Sequence, residues 1–302
     1  MGVNMSLTDD CLSSDRLAVN DVVFKLASFA SRAVLYEVSA FPKPGLVSPI
    51  STGAHFDMDY FTFLDSTTAL MKYFVKFSEA GYSSRDVKEI FGDIREVGVE
   101  AERAMFDTTD EVNTHKGMIF LMGVSLAATA KVLYEGLCFE CLSDVVREMT
   151  RGIVLGDLQH LTVATAVTHG ERLYVEHGIT GVRGEVEAGM PTVFLHALPF
   201  FQDSKELSLN ERLVQTLFKI VSVCDDTTIV HRHDVGKLFE VKEQAKYFLD
   251  LGGVCSKEGR VLLEELCQSF VRDRVSPGGC ADLLAVTVFF DFVNDGLFSK
   301  VE

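Results

Sequence analysis

Between Lys116 and Lys131 the chain reads GMIFLMGVSLAATA (117–130), without a charge and without a polar face. As an α-helix this run spans roughly 21 Å at 1.5 Å per residue, short of the ~30 Å hydrocarbon core of a bilayer. A helix apolar on every side yet too short to cross a membrane belongs in the interior of a multi-helix protein. The run between Asp282 and Asp291 is shorter and reads the same way. Outward from these two segments, Val22, Leu26, Phe29, Ala33 and Tyr36 recur at helical spacing as far as the Pro42/Pro44 break, and 60–77 is apolar nearly all round. Further helices are expected at about 84–106, 116–135, 141–151, 158–177, 208–222, 236–251, 257–272 and 280–294. Alternating strands and Asn-Gly hairpin turns are lacking. The expected fold is all-α. It forms a single large multi-helix domain over 16–302, preceded by a polar, flexible segment 1–15.

The chain has 302 residues, 47% hydrophobic and 24% charged, with 28 Lys+Arg against 44 Asp+Glu and a formal net charge of −16. A chain of this length buries a core without disulfide or metal staples. The negative field opposes nucleic acid and anionic membrane, so neither is an expected partner. A polyanionic small substrate would need a local cluster of cations. Seven cysteines, an odd number at scattered positions, read as reduced thiols of a cytoplasmic protein. Cys138 and Cys141 have half of a zinc-site spacing but no matching second pair. The start, Met1-Gly2 with Met5 as an alternative first residue, loosely fits a myristoylation pattern that matters only in a eukaryotic host.

The chemistry-bearing residues fall in the breaks between helices. In Pro42-Lys43-Pro44-Gly45 the prolines stiffen the backbone around Lys43, which is expected to present its ammonium from the loop. Gly53-Ala54-His55-Phe56-Asp57-Met58-Asp59 offers two carboxylates suited to a hard cation such as Mg²⁺, or a helix cap at Asp57. Asn113-Thr114-His115-Lys116-Gly117 precedes the buried helix. Thr114 or Asn113 is a fitting N-cap, which sets His115 and Lys116 in a first turn where cations oppose the helix dipole but suit a bound phosphate. Gly181-Val182-Arg183-Gly184-Glu185 frames an arginine with glycines. The segment 225–233 joins Asp225 and Asp226 to His231, Arg232 and His233. Finally, Ser276-Pro277-Gly278-Gly279-Cys280-Ala281-Asp282 leads into the last apolar helix, with a carboxylate facing core. Solvated loops and ordinary helix caps are the plain alternatives at each place.

Taken in order, PKPGLV (42–47), GAHFDMDYFTF (53–63), NTHKGMIF (113–120), RGEVEAGMP (183–191), DDTTIVHR (225–232) and SPGGCADLLA (276–285) closely resemble the triphosphoribosyl-dephospho-CoA synthase family. The resemblance covers about 20–295. It implies an enzyme that joins the ribose C1 of ATP to the 2′-hydroxyl of 3′-dephospho-CoA and expels adenine. The product is the prosthetic-group precursor of citrate lyase or malonate decarboxylase, passed on to an acyl-carrier-protein prosthetic-group transferase. Glycosyl transfer of this kind passes through an oxocarbenium-like state, which calls for a carboxylate near C1, a base for the hydroxyl and cations on the triphosphate. On residue chemistry, Lys43, His115, Lys116, Arg183 and Arg232 are assigned to phosphates. Ser276, Gly278, Gly279 and Asp282 are assigned to substrate binding, and Asp57, Asp59, Asp225 and Asp226 to Mg²⁺. Glu185, His55 and His231 are the candidates for acid, base or oxocarbenium stabilisation.

The chain departs from the family pattern at Ser48 and Ser51, where Asp and Asn are common, and at Cys280, where Ser is more usual. Two other readings fit some of the residues. His233-Asp234, with upstream His169 and downstream Asp273, has the residue types of a helical metal phosphohydrolase, and a non-catalytic nucleotide-binding protein would keep the pocket alone.

Overall fold

A computed structural model describes residues 20–298 of the chain. Residues 1–15, Gly2 and Met5 therefore lie outside the described residues, as does the side chain of His169. The described elements are α1 (Asp21–Ser39), α2 (Tyr60–Gly81), α3 (Val87–Thr108), α4 (Lys116–Glu135), α5 (Leu142–Thr150), α6 (Ile153–Leu158), α7 (His169–His177), α8 (Gly181–Glu187), α9 (Leu198–Asp203), α10 (Leu209–Val223), α11 (Thr227–Arg232), α12 (Val235–Asp250), α13 (Lys257–Asp273) and α14 (Gly278–Val293). Short 3₁₀ turns and two π-helical stretches, Thr192–Ala197 and Asn294–Phe298, link or extend them. Among the described residues no strand forms, and the fold is all-α.

The two segments without a polar face take the central places. Every residue of α4 from Leu121 to Val132 is buried, and so is every residue of α14 from Leu283 to Asp291. Helices α1, α2, α3 and α14 pack around α4, and α10 extends the core from α14 to α12. By length and hydropathy Lys116–Glu135 passes as a membrane span, but 78% of its apolar window is buried inside the protein. Val38, Val47 and Met58 form a small second cluster, which seats the loop 40–59 against the start of α2.

Local chemistry sets the helix starts. Asn20 caps α1, Asp86 caps α3, and Asp59 and Thr62 form a reciprocal capping box on α2. Three expectations are corrected. The cap of α2 is Asp59 rather than Asp57. The single helix expected over 158–177 is interrupted: α6 stops at Leu158, and a capping box of Thr168 and Glu171 starts α7 afresh. The segments around Arg183 and His231 are short helices, α8 and α11, rather than loops.

Candidate active site

Five of the six motifs meet at the N-terminal ends of α4, α11 and α14. The meeting depends on close backbone approach. Gly45 has φ +69°, and a β-carbon there would lie 1.9 Å from the carbonyl oxygen of Val275, so only glycine lets the 42–47 loop touch the 275–277 segment. His55 fastens the same junction. Its Nε2 lies 2.9 Å from Ser276 Oγ and its Nδ1 lies 3.3 Å from Arg232 Nη2. A guanidinium only donates, so Nδ1 accepts and the proton resides on Nε2, which donates to Ser276. Burial first and the Arg232 charge second depress the His55 pKa to about 4, against a smaller opposing pull from Asp57. The imidazole is neutral at physiological pH.

Asp226 caps two helices with one carboxylate. Its Oδ1 accepts the N–H groups of Thr228 and Ile229 in α11, and its Oδ2 accepts the N–H of Cys280 in the first turn of α14 at 2.8 Å. Helix α14 has no capping side chain of its own. Burial pushes the Asp226 pKa up in spite of these bonds. The expectation of Asp226 as a metal ligand is accordingly corrected: its oxygens serve backbone amides. Gly279 lies against the same carboxylate and Gly278 against Thr228.

Asp282 stands one turn further along α14. Its carboxylate faces the Cα of Gly117 in the first turn of α4, where a β-carbon would lie 2.3 Å from Oδ2. Some of its surface stays accessible, but the carboxyl is enclosed deeply enough that desolvation raises its pKa well above the usual carboxylate range. The charges of Glu37 and Asp226 raise it further. Glu37 itself, on the last turn of α1, receives the Lys43 ammonium at 2.5 Å, and the same ammonium donates to the Glu37 carbonyl at 2.6 Å. The two side chains are only 1% and 8% exposed. Lys43 is therefore turned inward, which corrects the expectation of an ammonium presented from the loop. Burial lowers its pKa, and Glu37 partly offsets this.

His115 occupies the N-cap position of α4 without capping it, whereas Asn113 Oδ1 accepts the Lys116 N–H at 3.1 Å. His115 is 3% exposed, with Nδ1 2.7 Å from Ser66 Oγ. Ser66 in turn accepts from Thr114 Oγ1 at 2.8 Å. Ser66 thus holds the ring through Nδ1, and Nε2 is its remaining polar atom. That buried atom has no hydrogen-bond partner among the described residues. Burial holds the His115 pKa down at about 3. The imidazole is thus neutral, and leaving its buried Nε2 unpaired costs about 1–3 kcal/mol until a partner arrives.

The remaining candidates lie at the periphery or apart. Lys116 is exposed and paired with Glu102 at 2.9 Å. Arg232 and His231 are exposed on the last turn of α11. Asp57 is exposed 3.9 Å from His55, Asp59 is engaged by Thr62, and Asp225 pairs with Lys242 at 2.7 Å. Among the described residues no three His, Cys, Asp or Glu side chains are grouped to hold a metal ion, so the expected four-carboxylate set is not assembled. This also leaves Cys138 and Cys141, with sulfurs 3.4 Å apart, as thiols without further ligands. Glu185 is half-buried, with its two oxygens accepting from the N–H and the hydroxyl of Thr192, each at 2.9 Å. Burial outweighs these bonds and raises its pKa. These bonds brace the turn from α8 into the π-helical stretch. Arg183 pairs with Asp157 at 3.0 Å.

Ser48 and Ser51, two of the three departures from the family pattern, pair through their backbones across a tight turn, and Ser51 Oγ accepts the Gly53 N–H. Sequence reading missed Glu37, Ser66, Arg95 and Asp157. For Glu37 a signal existed: it continues the buried stripe Ala30, Val34, Val38 of α1, where a carboxylate needs a partner. For the other three no local signal exists.

Shielded carboxyls, neutral imidazoles and the exposed cations Lys116 and Arg232 mark an all-helical enzyme for phosphorylated substrates. A profile of the CitG family, ATP:dephospho-CoA triphosphoribosyl transferase, matches residues 24–299. The chain belongs to this family, and its activity is transfer of the triphosphoribosyl group of ATP to dephospho-CoA. It is 43% identical over 275 residues to a probable 2-(5′′-triphosphoribosyl)-3′-dephosphocoenzyme-A synthase of Lactiplantibacillus plantarum, covering 89% of this chain and 97% of the relative. It is 35% identical over 293 residues to a protein of the same description from Streptococcus mutans, covering 89% and 97%. To protein CitXG of Leuconostoc mesenteroides it is 37% identical over 272 residues, 88% of this chain and 58% of that protein. No solved structure matches the chain significantly.

Proposed function

We propose that transfer takes place where the first turns of α4 and α14 face each other, with Asp282 as the central carboxyl. The observation that supports this reading is the uncompensated enclosure of Asp282 against Gly117, beside Glu37 and Asp226. A carboxyl whose pKa is raised toward neutrality is suited to take the proton of an attacking hydroxyl. Once ionised, it also opposes the positive charge that develops on the ribose in an oxocarbenium-like state. In this reading Asp282 has the part that sequence alone offered to Glu185. His55 acts by orienting Ser276 and Arg232, and His231 stands at the exposed edge. His115 Nε2 pairs with a polar atom of the substrate. Lys116, Arg183 and Arg232 meet the phosphates, and Lys43 holds the loop 40–59 through Glu37.

Mg²⁺ enters this proposal as the counter-ion of ATP. Asp57, Asp59, Asp225 and Asp226 do not converge on one ion, because Asp59, Asp225 and Asp226 are engaged by Thr62, Lys242 and backbone amides. The same reading extends to a cytoplasmic location and to hand-over of the product to an acyl-carrier-protein prosthetic-group transferase. The phosphohydrolase alternative finds no support: His233 is bonded to the Arg274 carbonyl, Asp234 caps α12 and Asp273 pairs with Arg272.

The test is adenine release from Mg-ATP in the presence and absence of dephospho-CoA. Release should require both substrates and should be lost in Asp282→Asn with the helical circular dichroism intact. Turnover near the parent rate in that variant removes Asp282 from the mechanism.

A further inference from the structure

A cavity of about 220 Å³ opens between α3, α4 and α8, with Gly117, the neighbour of Asp282, in its lining. Its uncharged lining consists of apolar residues and glycines only, among them Phe77, Phe91, Ile94, Phe120 and Val182. Its charged lining is Arg95, Lys116 and Arg183 against Glu102 and Asp157, so three cations face two carboxylates in a protein of net charge −16. Asp157 organises two of the cations. It receives Arg95 through both terminal nitrogens at 3.0 and 3.1 Å, and Arg183 through Nε at 3.0 Å. Burial alone would raise the Asp157 pKa, but the two guanidinium groups outweigh it and keep the carboxylate ionised. The terminal nitrogens of Arg183 make no hydrogen bond among the described residues, which leaves an open fork of the geometry that phosphate oxygens fill.

We infer that this cavity receives the purine of an adenosine 5′-phosphate, with its phosphates on Lys116 and the Arg95–Arg183 pair that Asp157 positions. The inference rests on the reading of the chain as a transferase that uses ATP and dephospho-CoA, both of which carry this moiety. Pockets that enclose a drug-sized ligand measure about 300–1,000 Å³, so this one encloses a part of a substrate rather than the whole. A purine meets apolar walls with its faces and the charged rim with its polar edge. A pantetheine arm carries amides along its length, and these walls would leave them without partners. Gly117 lines the cavity and touches Asp282, so the purine site adjoins the proposed transfer site through the first turn of α4.

Gly98 gives a direct test. It lines the cavity from α3, and a β-carbon there meets nothing within 4 Å, so Gly98→Leu fills the space without a backbone collision. Calorimetric titration of the variant should show at least about tenfold weaker binding of ATP or of dephospho-CoA, a loss of about 1.4 kcal/mol, with inorganic triphosphate and 4′-phosphopantetheine unchanged. Loss confined to ATP assigns the cavity to the donor nucleotide, and loss confined to dephospho-CoA assigns it to the acceptor. Asp157→Asn should weaken the same ligand and raise its KM with little change in kcat, and Arg183→Lys should recover only part of the loss in Arg183→Ala. Parent affinities for both nucleotides in Gly98→Leu, or weakened 4′-phosphopantetheine instead, overturn the inference. Those results would leave the transfer site standing, whereas parent turnover in Asp282→Asn would remove the transfer site and leave the cavity assignment intact.

Discussion

The carboxylate of Asp282 rests on the bare Cα of Gly117, 165 positions away in the chain, at a separation that admits no side chain on the glycine. This contact joins the two buried helices at their N-terminal ends, where the chemistry is gathered. It also makes the position of the carboxyl sensitive to a single methyl group.

Gly117→Ala should therefore displace Asp282 and leave the helical fold intact, since alanine is the better helix former. A misplacement of about 1 Å at a reacting group costs on the order of 10²-fold in rate, and kcat for adenine release should fall by about that factor. A parent kcat would show that Asp282 does not need its place against α4.

The Lys43–Glu37 pair should behave as a buried ion pair. Lys43→Met leaves the Glu37 carboxylate uncompensated and should cost about 3–5 kcal/mol in urea unfolding. The double variant Lys43→Met/Glu37→Gln should recover most of that loss. If the single variant is as stable as the parent, the ammonium has no such structural role.

Stability should depend on pH in two opposite ways. His55 and His115 titrate at about 4 and about 3 when folded, below the roughly 6.5 of an unfolded chain. The folded state then binds fewer protons, and stability present above pH ~6.5 is lost as pH falls toward the folded values. Asp282 acts in the other direction, because its folded pKa lies above that of the unfolded side chain. Its contribution is complete below about pH 3.9 and erodes as pH rises toward the folded value. Asp282→Asn should raise the melting temperature relative to the parent more at pH 8 than at pH 5. An equal gain at both would mean that the fold does not raise the Asp282 pKa.

Much of this protein is legible without coordinates, and each legible part has a local cause. The uncharged run 117–130 reads as a buried helix, and the spacing of Val22 to Tyr36 as an amphipathic one. The six motifs fix the family, because their residue types and order are properties of the chain itself. The misreadings share a cause as well. Lys43 looked like a phosphate ligand and Asp226 like a metal ligand because both are charged residues in glycine- and proline-bearing breaks. What a charge does depends on which partner lies within hydrogen-bond distance, and those partners, Glu37 and the Cys280 amide, come from other helices. Ser66 and Asp157 gave no sign for the same reason: one holds a histidine 49 positions away, the other holds Arg95 and Arg183 from 62 and 26 positions away. The sequence by itself determined the helices, the family and the inventory of reactive groups, since these follow from periodicity and composition. Only the tertiary structure decided which groups are enclosed, paired or open, because desolvation and pairing are properties of neighbours that the chain brings together when it folds.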